Sequence, residues 1–435
     1  MDEYAIQTAD FEIARLGEPK FADIASEKHG QFMTEANQIV FPIHSNHLQS
    51  YLAANKPIPT MELAGPRAKL FFNPTKTKIG IVTCGGLCPG INTIIRSIVM
   101  TAAQFYGIST MYGFRNGYQG LNPACKLMPM MLTPDLVDNI HEEGGTILGS
   151  SRGEQPIPTM VDYLQSLEIN ILFVVGGDGT MRGGRALAQE IHRRKLPISI
   201  IGIPKTIDND IAFIERSFGF ETATEEATKA IYSAHTESKG APNGIGIVKL
   251  MGRESGFIAC YASLSSAVAN YCLIPEVPFS FEKLLPSLER RIKNRNHAVI
   301  VVAEGAGQEL FAQEPEQYDA SGNKKLHDIG DLLKGKIKAY FKNIPMEVNV
   351  KYIDPGYMIR SVPANGDDNV FCLILAHNAV HAGMSGRTEM VVGYRNDHFV
   401  HLPMKLITSE RKKVNPNSRL WKTVLDTTRQ PAELI

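Results

Sequence analysis

The chain has 435 residues, 43% hydrophobic and 21% charged, so it can bury sizeable cores and lies far from the polar, highly charged compositions that stay unfolded. Its 45 Lys and Arg are matched by 45 Asp and Glu, and without a net positive field no nucleic-acid partner and no anionic membrane surface is expected. Apolar runs such as 171–175 and 298–303 fall well short of the ~20 residues of a membrane helix. The start, Met-Asp-Glu-Tyr, lacks the basic and apolar regions of a signal peptide, so the reading is a cytoplasmic protein. Six cysteines in a chain of this length give no disulfide framework, and the closest pair, Cys84 and Cys88, has no further Cys or His nearby to complete a zinc set.

Residues 1–75, with FPIHSNHL and the Pro-rich KPIPT but no glycine cluster, read as an N-terminal extension. From Thr77 onward short β-branched runs are followed by glycine-rich turns and then amphipathic stretches, the signature of βαβ units. KIGIVT at 78–83 predicts a strand, GGLCPG at 85–90 a turn and 91–105 a helix; ILFVV at 171–175, GGDGT at 176–180 and 181–194 repeat the arrangement. ISIIGI at 198–203 then runs into PKTIDND at 204–210. A second set opens with GIGIVKL at 244–250 and continues with HAVIVVAEG at 297–305, and the polar stretch 307–328 predicts an exposed loop. Helical periodicity over 367–382 is expected to close at Gly383, and 389–402 reads as a hairpin turning at Asn396 and Asp397. The expected fold is α/β, with two Rossmann-like parallel-sheet domains in series: 76–219 plus about 360–402 as one, 220–359 as the other, and 403–435 as a C-terminal tail.

The chemistry-bearing motifs follow predicted strands, where helix N-termini and free backbone N–H groups favour anions. Gly85 and Gly86 leave no side chain where a backbone would approach a phosphate, although paired glycines also simply make tight turns. In GGDGT, Gly176, Gly177 and Gly179 clear space for a triphosphate, and Asp178 is either a carboxylate ligand for Mg²⁺ or a helix N-cap. In PKTIDND an extended backbone would point Asp208, Asp210 and Thr206 to one side. An ionised carboxylate there could take a hydroxyl proton; the cluster could equally be a polar turn, but Lys205 adds the cation that phosphoryl transfer uses.

Seven blocks in order, IVTCGGLCPGIN (81–92), TILGSSRG (146–153), VVGGDGT (174–180), PKTIDND (204–210), KLMGRESGFIA (249–259), LIPEVPF (273–279) and KYIDPGYMIR (351–360), resemble the 6-phosphofructokinase family from about Thr77 to Leu402. GGLCPG and the N-terminal extension are similar to its longer branch. The resemblance implies a glycolytic, allosteric enzyme that phosphorylates D-fructose 6-phosphate at C1, with a nucleotide-binding first domain, a sugar-phosphate second domain and self-assembly, most simply a homotetramer. Gly85, Arg152, Gly153, Gly177, Gly179 and Thr180 would hold the donor phosphates, with Asp178 on Mg²⁺ and Tyr118 near the base. Thr206, Ile207 and Asp208 would meet the reacting end of the sugar, with Asp208 as base among Lys205, Asp210 and Arg253. Met251, Gly252, Arg253 and Glu276 would hold the sugar, and Lys351, Tyr357 and Arg360 its 6-phosphate.

The resemblance also bears on the donor. In the pyrophosphate-using branch an aspartate typically stands where this chain has Gly179, so the glycine argues for ATP, while Lys205 is typical of pyrophosphate enzymes. Steric exclusion outweighs a helpful cation, and ATP is the expected donor, with pyrophosphate the alternative. Two departures alter the expected cross-subunit grip: Asn243-Gly244 stands where bacterial members carry an arginine, and Lys351 where a second arginine is usual. An NAD or lipid kinase would share GGDGT but leave PKTIDND and the MGR and PGYMIR blocks unexplained, and an inactive regulatory subunit sits poorly with intact Asp178, Thr206, Asp208 and Arg253.

Overall fold

The computed structural model describes residues 6–22, 31–313, 315, 317–318 and 325–434. In chain order the main elements are β1 (Lys78–Thr83), α1 (Ile91–Tyr106), β2 (Thr110–Phe114), β3 (Met130–Met131), α2 (Ile157–Ser166), β4 (Ile171–Gly176), α3 (Asp178–Arg193), β5 (Ser199–Pro204) and α4 (Phe220–Gly240). They continue with β6 (Gly244–Leu250), α5 (Phe257–Ser266), β7 (Tyr271–Leu273), α6 (Phe281–Arg295), β8 (His297–Ala303), α7 (Ile329–Lys342) and β9 (Asn349–Ile353). Last come α8 (Gly366–Met384), β10 (Met390–Arg395), β11 (His398–Pro403) and α9 (Arg419–Thr428). The chain forms two compact units: 1–206 with 211–219 and 362–410, and 207–210 with 220–361 and 411–435.

The first unit holds a seven-stranded sheet in the order β11-β10-β5-β4-β1-β2-β3. The inner strands β10, β5, β4, β1 and β2 are parallel, and β11 and β3 add antiparallel edges. β4, ILFVVG, is buried at every position, as a parallel strand covered on both faces must be. Its Leu172 and Val174 share a core with Leu187, Ala188 and Ile191 of α3, whose apolar residues recur at helical spacing. Residues of the expected extension, Ile6, Phe11, Phe41 and Met61, belong to that same core. A buried ionic cluster fastens the extension further. Glu62 meets Arg67 at 2.9 Å, pairs with Arg387, and lies 3.3 Å from His401 Nδ1. Burial pushes the Glu62 carboxyl up, but hydrogen bonds from His401 and Arg387 outweigh it and hold it well below the usual carboxylate range.

The second unit carries a four-stranded, wholly parallel sheet, β7-β8-β6-β9. Along β8 the side chains alternate between two cores: Val299, Val301 and Ala303 pack with α4, α5 and α9, and Ala298, Ile300 and Val302 with α6 and α7. Each unit is therefore a parallel sheet with helices on its faces, the expected α/β class.

Two expectations are corrected. α8 runs through Gly383 to Met384; a Cβ at Gly383 would stand 2.8 Å from Ile171 Cγ2, so the glycine serves close packing on β4 and not termination, and the left-handed residue just past the helix is Gly386. The stretch 403–435 is not a loose tail: Trp421 and Val424 of α9 are buried, and Ser418 caps that helix. The described residues of 307–328 are mostly exposed, as expected of that loop, with one short 3₁₀ helix over Gln308–Phe311; residues 314, 316 and 319–324 lie outside the described residues.

Candidate active site

In the first unit, the strand ends of β1, β4 and β5 carry the expected donor groups. Gly85 follows β1 with φ +85°, a conformation that favours glycine, and its N–H donates to Ser151 O at 3.2 Å, tying the turn to the loop that bears the exposed Arg152 and Gly153. Lys205, at the end of β5, is buried and donates from Nζ to Gly86 O at 2.6 Å. Gly177 is the N-cap of α3, so Asp178 is not a cap; it is the first residue of the helix, with its carboxylate 3.1 Å from Arg182. There it is favoured by the positive helix end. Gly179 is exposed, and a Cβ built on it meets no protein atom within 4 Å. One carboxylate at a helix N-terminus beside open backbone fits Mg²⁺, which takes one or two carboxylates and fills its shell with phosphate oxygens and water. Among the described residues no group of three or more His, Cys, Asp or Glu forms a closed metal site.

Tyr118 is buried, its hydroxyl donates to Thr180 O at 2.6 Å, and burial pushes its phenol well above the usual value. It supports the first turn of α3, next to the GGDGT segment. Cys84 is likewise buried, its thiol pushed up to about 12 by burial, which leaves it neither a ligand nor a nucleophile at neutral pH.

PKTIDND divides between the units, Lys205 and Thr206 in the first and Ile207–Asp210 in the second. Its backbone is not extended: Ile207 and Asp208 form a turn, and Asn209 has φ +53°. Asp208 also departs from an ordinary ionised carboxylate. Burial, with the charges of Asp210 and Glu304 added, pushes it up to about 8, against the pull of Arg411 and Arg253. Asp210, itself buried, meets Arg411 at 2.8 Å.

Around Asp208 the second unit gathers the sugar-side residues. Gly252, at φ +124°, follows the buried Met251, and its carbonyl accepts from Gly305 N at 3.0 Å, while Glu304 N donates to Leu250 O at 2.8 Å. These bonds lock the MGR loop after β6 to the turn after β8. Glu304 is a residue the motif reading passed over. It is pushed up by burial, while the fields of Arg253, Lys249 and Arg360 pull it down. Its sequence signal was a lone acid closing a buried β-branched strand, AVIVVAE. Glu276 differs: its carboxylate accepts from Gly256 N at 3.0 Å and Val414 N at 2.7 Å, which ties two loops together. Arg360 lies 5.1 Å over the ring of Tyr357, itself 83% exposed, and donates from Nε to Gly356 O at 3.2 Å. Lys351, on the edge strand β9, is half-exposed and 3.5 Å from Glu237. No helix among the described residues is long and apolar enough to cross a membrane.

Comparison with known proteins identifies the family. The family described as Phosphofructokinase matches residues 78–383. An ATP-dependent 6-phosphofructokinase of Borreliella burgdorferi is 46% identical over 442 aligned positions covering 98% of each chain. One of Trypanosoma brucei brucei is 49% identical over 84% of this chain and 76% of its own. A pyrophosphate-dependent phosphofructokinase structure from Marinobacter aquaeolei shares the fold at TM-score 0.69 with 20% identity, covering 81% of this chain and 91% of its own.

Proposed function

The chain belongs to the phosphofructokinase family, and from that premise we propose that it transfers the terminal phosphoryl group of ATP to the C1 hydroxyl of D-fructose 6-phosphate. The product is fructose 1,6-bisphosphate, and the role is glycolytic and cytoplasmic. The observation that carries the reading is Asp208: a buried carboxylate poised at about 8, with Arg253 and Glu304 close enough to act on its charge. A base works best when its pKa lies near the working pH. As the oxygen–phosphorus bond to C1 forms and the bridging bond to ADP breaks, the C1 proton passes to the Asp208 carboxylate.

In this reading Gly85, Arg152, Gly153, Gly177, Gly179 and Thr180 hold the donor phosphates, and Lys205 offers a buried cation for developing charge. Asp178 would hold Mg²⁺, which when bound neutralises phosphate charge. Met251, Gly252 and Arg253 hold the sugar, Tyr357 and Arg360 its phosphate, and Glu304 joins the sugar-holding group in place of Glu276, whose carboxylate accepts from Gly256 N and Val414 N. The open space at Gly179, together with the relatives named for ATP dependence, supports ATP.

Pyrophosphate remains a second reading because Lys205 stands beside the Gly85-Gly86 turn. Initial rates with each donor, at saturating fructose 6-phosphate, decide between them. Faster turnover with pyrophosphate would overturn the choice of ATP, and no turnover with either would overturn the function.

A further inference from the structure

Lys249 is an odd residue for its position. β6 is a central strand, GIGIVKL, buried everywhere else, yet it carries a lysine whose side chain is only 15% exposed. A buried ammonium is tolerated when it is paired, and this one is 2.9 Å from Asp354 Oδ2 and 3.1 Å from Asp328 Oδ2. It also stands 5.9 Å from the ring centroid of Tyr352, whose hydroxyl donates to Asp328 at 2.8 Å.

The two acids differ in what they hold. Asp328 caps α7, accepting from Gly330 and Asp331. Asp354 lies one residue beyond the end of β9, where the β6–β9 pairing has stopped at Val248 and Ile353, so no ladder bond fixes its backbone. Its other oxygen, Oδ1, accepts from Gly356 N at 3.1 Å. Gly356 opens the one-turn helix Gly356–Arg360, whose N-cap Pro355 makes no side-chain capping bond, so Asp354 supplies the cap. The carbonyl of that same Gly356 receives Arg360 Nε at 3.2 Å. A chain of contacts therefore runs from Lys249 Nζ through the Asp354 carboxylate to Gly356, whose N–H and C=O belong to successive peptide groups, and on to the Arg360 guanidinium. With Nε committed inward, the guanidinium offers its Nη edge.

We propose that Lys249, acting through Asp354, is a positioning residue for Arg360, and thereby sets the affinity for the sugar's 6-phosphate and the preference for fructose 6-phosphate over fructose. This rests on the reading of Arg360 as the 6-phosphate grip. Half-exposed carboxylates give such pairs little net stability, which fits a geometric role better than a stabilising one.

The test is a double-mutant cycle on the full-length chain. Lys249→Met should raise the KM for fructose 6-phosphate about tenfold, with kcat and the KM for ATP within about twofold, and Lys249→Arg should recover most of the loss. In an Arg360→Ala background, Lys249→Met should change that KM by less than about twofold, because the group it positions is gone. The kcat/KM for fructose should be the same in wild type and Lys249→Met. Asp354→Asn should reproduce the pattern, and it carries the cycle if Lys249→Met does not fold. Independent, multiplicative losses in the double variant, or an equal loss with fructose, would refute the positioning role. A wild type that turns over fructose 6-phosphate but shows no change in its KM on Arg360→Ala would instead refute the underlying assignment of the grip.

Discussion

The most exacting consequence of the site is the proton balance of Asp208. If Asp208 takes the C1 proton, kcat/KM for fructose 6-phosphate must fall below about pH 8 as the carboxylate protonates, because burial and the charges of Asp210 and Glu304 hold it there. Asp210→Asn removes the charge with the larger effect of those two and leaves Arg411, 2.8 Å from a neutral amide and 3.8 Å from Glu254, with its pull on Asp208 less offset. Two unit charges about 6 Å apart interact by ~3 kcal/mol at an effective dielectric of about 20, or ~2 pKa units. With relaxation, the acid limb should move down by at least about one unit. The assay is kcat/KM against pH at saturating ATP, for wild type, Asp210→Asn and Asp208→Asn. The last should lose the limb together with ~10²-fold or more of kcat. A folded-state pKa above that of the unfolded chain gives stability that is present at low pH and lost as pH rises through about 8. Asp208→Asn should therefore melt higher than wild type at about pH 9 while being inactive. A limb that stays put in Asp210→Asn, or moves up, refutes the electrostatic account; a limb unchanged in Asp208→Asn refutes the base.

Four further outcomes are expected. Gly179→Asp has room for its side chain, so it should fold with an unchanged melting temperature yet lose more than ~10²-fold in kcat/KM for ATP, from a like charge beside phosphate; unchanged ATP kinetics would remove Gly179 from the donor site. Glu304→Gln should raise the KM for fructose 6-phosphate and also lower the acid limb, whereas Glu276→Gln should act mainly on stability, which calorimetry beside steady-state rates will separate. Glu62→Gln should destabilise the chain by about 3 kcal/mol or more, because Arg387 and Arg67 are left buried without a full counter-charge, as read by denaturant unfolding. Sedimentation at assay concentration should show an oligomer, most simply a tetramer, that Lys351→Glu weakens; a fully active wild-type monomer would end that idea.

What the sequence made legible was what local physics decides. Strands such as 78–83 and 171–175 read correctly because a covered parallel strand is apolar on both faces, and the hairpin at Asn396 and Asp397 because both residues accept positive φ. What stayed hidden depended on neighbours distant in sequence. Gly383 looked like a helix stop, but Ile171, more than two hundred residues earlier, requires a glycine inside the helix. PKTIDND looked extended, yet Asn209 turns it, and burial gave Asp208 a proton affinity that composition cannot report. Tyr118 was assigned from its place in the chain; its hydroxyl partner is a backbone carbonyl 62 residues on. Glu304 escaped notice because a single acid after an apolar strand carries no motif, and its significance came only with Arg253 and Arg360 around it.

The Glu62 cluster changes what counts as the smallest autonomous piece of this protein. The family match begins at residue 78, and a boundary drawn there would look natural, although a relative aligns over 98% of the chain. Such a cut removes Glu62 and Arg67 but keeps Arg387 and His401, both almost wholly enclosed. The remaining guanidinium would face an interior without its counter-ion, and Phe11, Phe41 and Met61 would vacate a shared core. Chimeras, truncations and transplanted domains should therefore begin at or before residue 6, since the segment preceding the family match supplies the counter-charge and core side chains for residues that follow it.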